Sequence, residues 1–220
     1  MARGAGWTTE EQGFVYVIKI LSVSDVAEPS LLPALKDKRF DDISLILSCG
    51  DLPPEYLASL TDTLKAPLFY VLGNHDIRYA ARQPHGCLNL HRRLVTFRRL
   101  NFLGLEGSMW YNGGPYQYTE NEMRRLIRRM RTTIWWRGGV DVVITHAPPR
   151  GIHDEEDLCH QGFESFRWLI NKYKPQYFIH GHIHKNFAAA AERISQVDAT
   201  TVINTYGHHI FVIDDAAHHR

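Results

Sequence analysis

The chain of 220 residues is 44% hydrophobic and 22% charged, close to the averages of folded globular proteins, which excludes a disordered chain or a fibrous repeat. Its 25 Lys and Arg balance 24 Asp and Glu to a formal charge of +1, so no global field draws it onto nucleic acid or an acidic membrane. Cys49, Cys87 and Cys159 lack Cys-x-x-Cys spacing, which excludes a disulfide framework and a zinc ribbon and suits a reducing, cytoplasmic setting.

Residues 1–13 (MARGAGWTTEEQG) are small and polar without period and read as a loose lead-in. Residues 14–215 then read as one domain, and 216–220 as a tail. Short, nearly continuous apolar runs follow in order: Val15 to Leu21, Ile43 to Leu47, Leu68 to Leu72, Asn101 to Leu105, Val140 to Ile144, Tyr177 to Ile179 and Ile210 to Ile213. Runs of this kind suit strands covered on both faces. The first contains Lys19 and is far too short to span a bilayer, so no membrane partner is expected. Between the later runs lie helical stripes. Thr119 and Glu122 form a capping box ahead of Met123, Leu126, Ile127 and Met130, and Phe163, Phe166, Ile170 and Tyr173 make a second stripe. The alternation predicts an α/β architecture. The Arg124, Arg125, Arg128, Arg129 and Arg131 cluster falls on the polar side of the first stripe and reads first as a solvated face and, as the alternative, as a local patch for an anionic partner.

Chemistry gathers where the apolar runs end. Asp25 follows the first run, Gly50-Asp51 the second, Gly73-Asn74-His75-Asp76 the third, His146 the fifth and His180-Gly181-His182-Ile183-His184 the sixth. In open α/β sheets the ligand crevice lies beyond the carboxyl ends of the strands. Each ending offers an oxygen or nitrogen donor there, and Gly50, Gly73 and Gly181 allow the sharp turns and close backbone approach that such a crevice needs. Any one of these pieces is an ordinary turn or a structural histidine; five in order point to a shared metal pocket.

The ordered set resembles the calcineurin-like metallophosphoesterase family, whose pattern runs Asp-x-His, Gly-Asp, Gly-Asn-His-Asp or Glu, a lone His after a strand, and Gly-His-x-His. The resemblance implies a four-layer α/β/β/α sandwich of two mixed sheets with a two-metal centre at one edge. It also implies a ligand set: Asp51 bridging, Asp25 and His184 on the first metal, and Asn74, His146 and His182 on the second. His75 would stand beside the scissile bond, held by Asp76. The implied activity is metal-dependent hydrolysis of a phosphomonoester or phosphodiester, on a small phosphoester or a nucleotide. The mixed donor set suits Mn, Fe or Zn more than Mg or Ca.

One motif departs from the pattern. Asp25-Val26-Ala27 stands where Asp-x-His is expected, so a firm second site and a weaker first site are expected. Glu28 is the nearest replacement in sequence, and His180 reads equally as an extra ligand or an orienting neighbour. The same gap supports an alternative, a binding scaffold similar to the retromer subunit of this fold, with little or no catalysis. Gly107 to Tyr118 reads either as a cap on the core or as an aromatic substrate rim, Arg150 as a surface ion pair, and His208, His209, His218 and His219 as surface or tail residues. No Gly-x-Ser-x-Gly elbow, phosphate-binding Gly-x-x-x-x-Gly-Lys loop or Gly-x-Gly-x-x-Gly turn occurs, which excludes serine esterases, P-loop enzymes and dinucleotide enzymes.

Overall fold

The computed structural model describes residues 17–214, so the expected lead-in, the tail with His218 and His219, and Val15 and Tyr16 of the first predicted run lie outside the described residues. Two sheets face each other. The first runs in the order β13 (Gly207–Asp214), β1 (Val17–Ser24), β2 (Ile43–Ser48), β3 (Leu68–Tyr70), β4 (Cys87–Asn89). Its strands β1 to β4 are parallel, and β13 closes the edge antiparallel to β1. The second runs β11 (Ile194–Val197), β12 (Thr200–Asn204), β10 (Tyr177–His180), β9 (Val142–Thr145), β6 (Leu100–Leu105), β5 (Leu94–Phe97), parallel in the middle and antiparallel at both edges. A small ribbon pairs β7 (Ser108–Met109) with β8 (Gln117–Tyr118).

Alternation along each strand divides the core into three apolar layers. Ile20, Leu45, Leu47 and Phe69 from the first sheet meet Phe102, Val142, Ile144 and Ile179 from the second. The intervening residues point outward, where helices cover them: Ile46, Leu68 and Tyr70 pack with Leu57 and Leu60 of α2 (Pro54–Leu64), alongside the short α1 (Leu31–Ala34). On the other side Leu103, Val143 and Phe178 pack with Met123 and Ile127 of α3 (Glu120–Trp136) and Phe166 and Ile170 of α4 (Glu164–Tyr173). Helix, sheet, sheet, helix is therefore the layer order, as expected from the sequence. Near-continuous apolar runs are what strands covered on both faces require.

The capping box at the start of α3 forms as read: the Thr119 hydroxyl accepts from the Glu122 amide, and the Glu122 carboxylate accepts from the Thr119 amide. Its Arg124, Arg125, Arg128, Arg129 and Arg131 are all exposed, opposite buried Met123, Leu126, Ile127 and Met130. No helix among the described residues is long and apolar enough to cross a membrane.

Phe102 is fully buried between the sheets, edge-on to Phe69 and Phe97 at centroid distances of 5.8 and 6.5 Å. Phe102→Ala leaves a cavity where the sheets must touch, and a loss of about 3–5 kcal/mol is expected as a lowered urea midpoint at unchanged slope.

Candidate metal centre

Because β1, β2 and β3 are parallel neighbours, their carboxyl ends open at one edge of the first sheet; β9 and β10 do the same in the second. Backbone hydrogen bonds tie the ends together. The Asp25 amide donates to the Gly50 carbonyl at 3.1 Å, the Gly181 amide to the His146 carbonyl at 3.0 Å, and the Gly107 amide to the Leu72 carbonyl at 2.8 Å. The turns are tight enough to force left-handed backbone at Asp25 (φ 65°), Asp51 (φ 57°) and His182 (φ 68°). That conformation costs about 1–2 kcal/mol in an L-residue; three expected ligands adopt it, as do residues at turns and helix ends elsewhere, such as Lys65 and Lys174. Gly73 permits the closest approach, since a Cβ there would lie 2.7 Å from His146 Cε1 and closer still to Asp51 Oδ1.

The ligating atoms of Asp51, His146 and His182 all lie within 4.8 Å of one another. His146 Nε2 is 3.0 Å from Asn74 Oδ1 and 3.3 Å from Asp51 Oδ2, while its Nδ1 donates to the Cys49 carbonyl at 2.7 Å. His182 Nε2 is likewise engaged, donating to the Cys159 carbonyl at 2.5 Å, which leaves Nδ1 free to ligate. A histidine that gives one ring N–H to a carbonyl has its other nitrogen fixed as a lone-pair donor, the usual preparation for metal. Asp25 joins the group through the His182 amide, which donates to its carboxylate at 3.0 and 3.2 Å, and through His184 Nε2 at 3.4 Å. The six expected ligands thus form one cluster.

Its electrostatics are those of a cation site. The side chains of Asp25 and Asp51 are only 1% and 8% exposed, Asp76 is buried beside them, and no Lys or Arg pairs with any of the three among the described residues. Burial pushes the Asp51 carboxyl up, but the His146 charge and hydrogen bond, with the His75 amide, outweigh it and hold it well below the carboxylate range. His146 feels the converse: burial pushes it down, and Asp51 lifts it to about 9. Burial and then the His146 charge depress His182 to about 3. The buried carboxylates thus favour positive charge on the imidazoles that face them, His184 beside Asp25 being raised as well.

Several residues take other places than the sequence suggests. Asp76 does not hold the His75 ring; its Oδ2 accepts from the Asp51 and Gly73 amides, both at 2.8 Å, and so braces the two ligand loops. Burial lifts its carboxyl to about 7. His75 is exposed, with its amide donating to Asp51 Oδ1 at 2.9 Å. Glu28 is taken by His208 at 2.7 Å and does not replace the missing histidine. His180 is fully buried and bonded to His153 Nδ1 at 2.9 Å and the Gly181 carbonyl at 3.0 Å. Arg150 pairs with Asp154 and Glu156 at 2.8 and 2.7 Å, the surface-ion-pair reading. His208 and His209 belong to β13 rather than to a tail.

Two residues escaped the sequence reading. The Tyr111 hydroxyl accepts from Asn74 Nδ2 at 3.2 Å, which turns Asn74 Oδ1 toward His146. Arg78, paired with Glu55 at 2.9 Å, lines a pocket of about 180 Å³ with Asp51, His75 and Asp76. A larger cavity, about 790 Å³, lies elsewhere, beside Arg128, Arg131, Trp135, Lys172 and Tyr173. It gathers no carboxylate or imidazole and is not where the chemistry-bearing groups converge.

Comparison with known proteins agrees with this geometry. The family described as calcineurin-like phosphoesterase matches residues 18–186, and the chain belongs to it. TT1561 of Thermus thermophilus superposes with a TM-score of 0.61 at 18% identity over 87% of this chain and 90% of that one. A dimetal phosphatase from Danio rerio gives 0.58 at 11% identity over 86% and 87%. GAP50, the anchor in the inner membrane complex of Plasmodium, gives 0.52 at 13% identity over 86% and 71%. No curated protein sequence matches. At these identities the solved structures establish the fold alone.

Two outcomes follow from the geometry. Metal must displace the proton on His146, so affinity for Mn is expected to climb about tenfold per pH unit from neutrality and to level off above about 9, as titration calorimetry would read. Gly73→Ala should lower metal content by elemental analysis while leaving the far-ultraviolet dichroism of the fold unchanged.

Proposed function

We propose that this chain is a metal-dependent phosphoester hydrolase, a phosphodiesterase or phosphomonoesterase, working at a two-metal centre. The observation that carries the proposal is the convergence of Asp25, Asp51, Asn74, His146, His182 and His184 at one sheet edge, where buried carboxylates face imidazoles and, among the described residues, pair with no Lys or Arg. Asp51 would be the shared ligand, Asn74, His146 and His182 would complete one position, and Asp25 and His184 would belong to the other. Imidazole with carboxylate and amide oxygen favours Mn, Fe or Zn.

These residues would hold divalent metals, which when bound would supply positive charge at the phosphorus and lower the pKa of water toward about 7. The chain's own residues do the rest. Asp76, bonded to the Asp51 and Gly73 amides, holds the two ligand loops in register. Tyr111 fixes the face that Asn74 presents. His75 projects from the same turn into open space beside the Asp51 pocket, where its ring can give a proton to a departing alkoxide. Because Asp76 does not orient it, His75 is positioned by its backbone, through the amide bond to Asp51.

The fold alone does not choose between catalysis and scaffolding, since both a phosphatase and an anchor protein share it. The strained, prepared ligand cluster favours catalysis. Buried Asp25 and Asp51 that face imidazoles and, among the described residues, pair with no Lys or Arg serve metal binding more directly than they serve a scaffold.

Hydrolysis of bis-p-nitrophenyl phosphate and of a nucleotide panel with added Mn tests the reading. His75→Ala should lower turnover by about 10²–10⁴ with metal content intact. Asp51→Ala and His146→Ala should lose metal and activity together. Wild-type rates in Asp51→Ala would refute the proposal.

A further inference from the structure

We propose that His160 supplies the imidazole that the Asp25-Val26-Ala27 segment withholds, completing the metal position shared by Asp25 and His184. The inference rests on the two-metal reading above and names a further ligand for it.

Neither near candidate fills the gap. Ala27 packs against the apolar cluster outside the first sheet, and Glu28 is bound to His208. His160 lies far away in sequence, in the connection between β9 and α4, yet that connection is pinned to the centre: the Cys159 carbonyl accepts from His182 Nε2. The His160 ring stands 5.3 Å from the His182 ring and 6.4 Å from the His184 ring, centroid to centroid. Among the described residues it is the one imidazole outside the expected ligand set that lies against both.

One of its ring nitrogens is already committed. Asp157 grips His160 Nδ1 with both carboxylate oxygens, at 2.9 and 3.0 Å. This fixes the proton on Nδ1 and leaves Nε2 as the lone-pair nitrogen, and Nε2 has no hydrogen-bond partner among the described residues. The arrangement repeats what the carbonyls of Cys49 and Cys159 do for His146 and His182. A carboxylate behind the imidazole raises its donor strength, and removing such a partner typically costs about 10–100-fold in metal affinity. With about a third of its side chain exposed (32%), His160 is not enclosed by packing on every side.

A rival use of the same residues exists. Asp157, Cys159 and His160 also bring their donor atoms within 4.8 Å of one another, a separate site in which Cys159 would ligate through sulfur. The two uses differ in whether Cys159 matters.

The test is Mn binding to the full chain, by titration calorimetry and by electron paramagnetic resonance, which separates a spin-coupled Mn pair from a lone ion. Wild type should bind two Mn per chain and show the coupled signal. His160→Ala should keep one tight Mn, weaken the other by about tenfold or more, and show the isolated-ion signal. Asp157→Asn should produce a smaller loss in the same direction, and Cys159→Ser none. Ala27→His added to His160→Ala should restore the pair. Wild-type stoichiometry, affinity and coupling in His160→Ala would overturn the inference while leaving the two-metal reading standing; loss of a Mn in Cys159→Ser would overturn it in favour of the separate site. A wild-type chain that binds no Mn would overturn both.

Discussion

Three carboxylates, Asp25, Asp51 and Asp76, are buried at one edge of a two-sheet sandwich, and among the described residues the only charged partners facing them are imidazoles. Taking carboxylates out of water is costly unless a cation or hydrogen-bond donors compensate. Asp76 accepts from two amides, and burial, outweighing them, lifts its carboxyl to about 7, toward the neutral form that needs no counter-ion. Asp25 and Asp51 have part of the same help, from the His182 and His75 amides, and they also face Nε2 of His184 and of His146, respectively. On the proposed reading divalent metal satisfies that balance, and the geometry of the strand ends serves to maintain it.

Maintaining it explains features that packing alone does not. The three apolar layers are closed by ordinary alternation, and they would close equally well if the strands ended in relaxed turns. Instead Asp25, Asp51 and His182 adopt left-handed backbone, Gly73 admits no Cβ, and Tyr111 reaches from a separate loop to hold Asn74. The left-handed backbone at Asp25, Asp51 and His182 costs stability at the strand ends, and the sheets behind them supply the rigidity that keeps such geometry in place.

Much of this was legible in the sequence, for identifiable reasons. Strands covered on both faces appear as apolar runs, so β2, β9 and β10 were readable, and the polar residues just past them stood out. Helix α2 was obscured because Pro53-Pro54 looks like a turn, although proline is well tolerated in a helix's first turn, and Tyr56, Leu57 and Leu60 then bury one face. Strand β12 was hidden by its polar letters: Thr200 and Asn204 are buried there because their side chains bond the Pro175 and Ile183 carbonyls at 2.6 and 3.1 Å. The ligands could be listed from their motifs, but their supports could not. Asp76 bonding to Asp51, Tyr111 to Asn74 and Cys159 to His182 are contacts between loops distant in the chain, and no local pattern encodes them.

The most direct measurement of the central claim is anomalous diffraction at the manganese edge from crystals of this chain grown with Mn. A strong anomalous peak enclosed by Asp51, Asn74, His146 and His182 is expected, with a second beside Asp25 and His184. Well-ordered carboxylates with no anomalous density among them, or density only at some other part of the surface, would contradict the metal-centre reading.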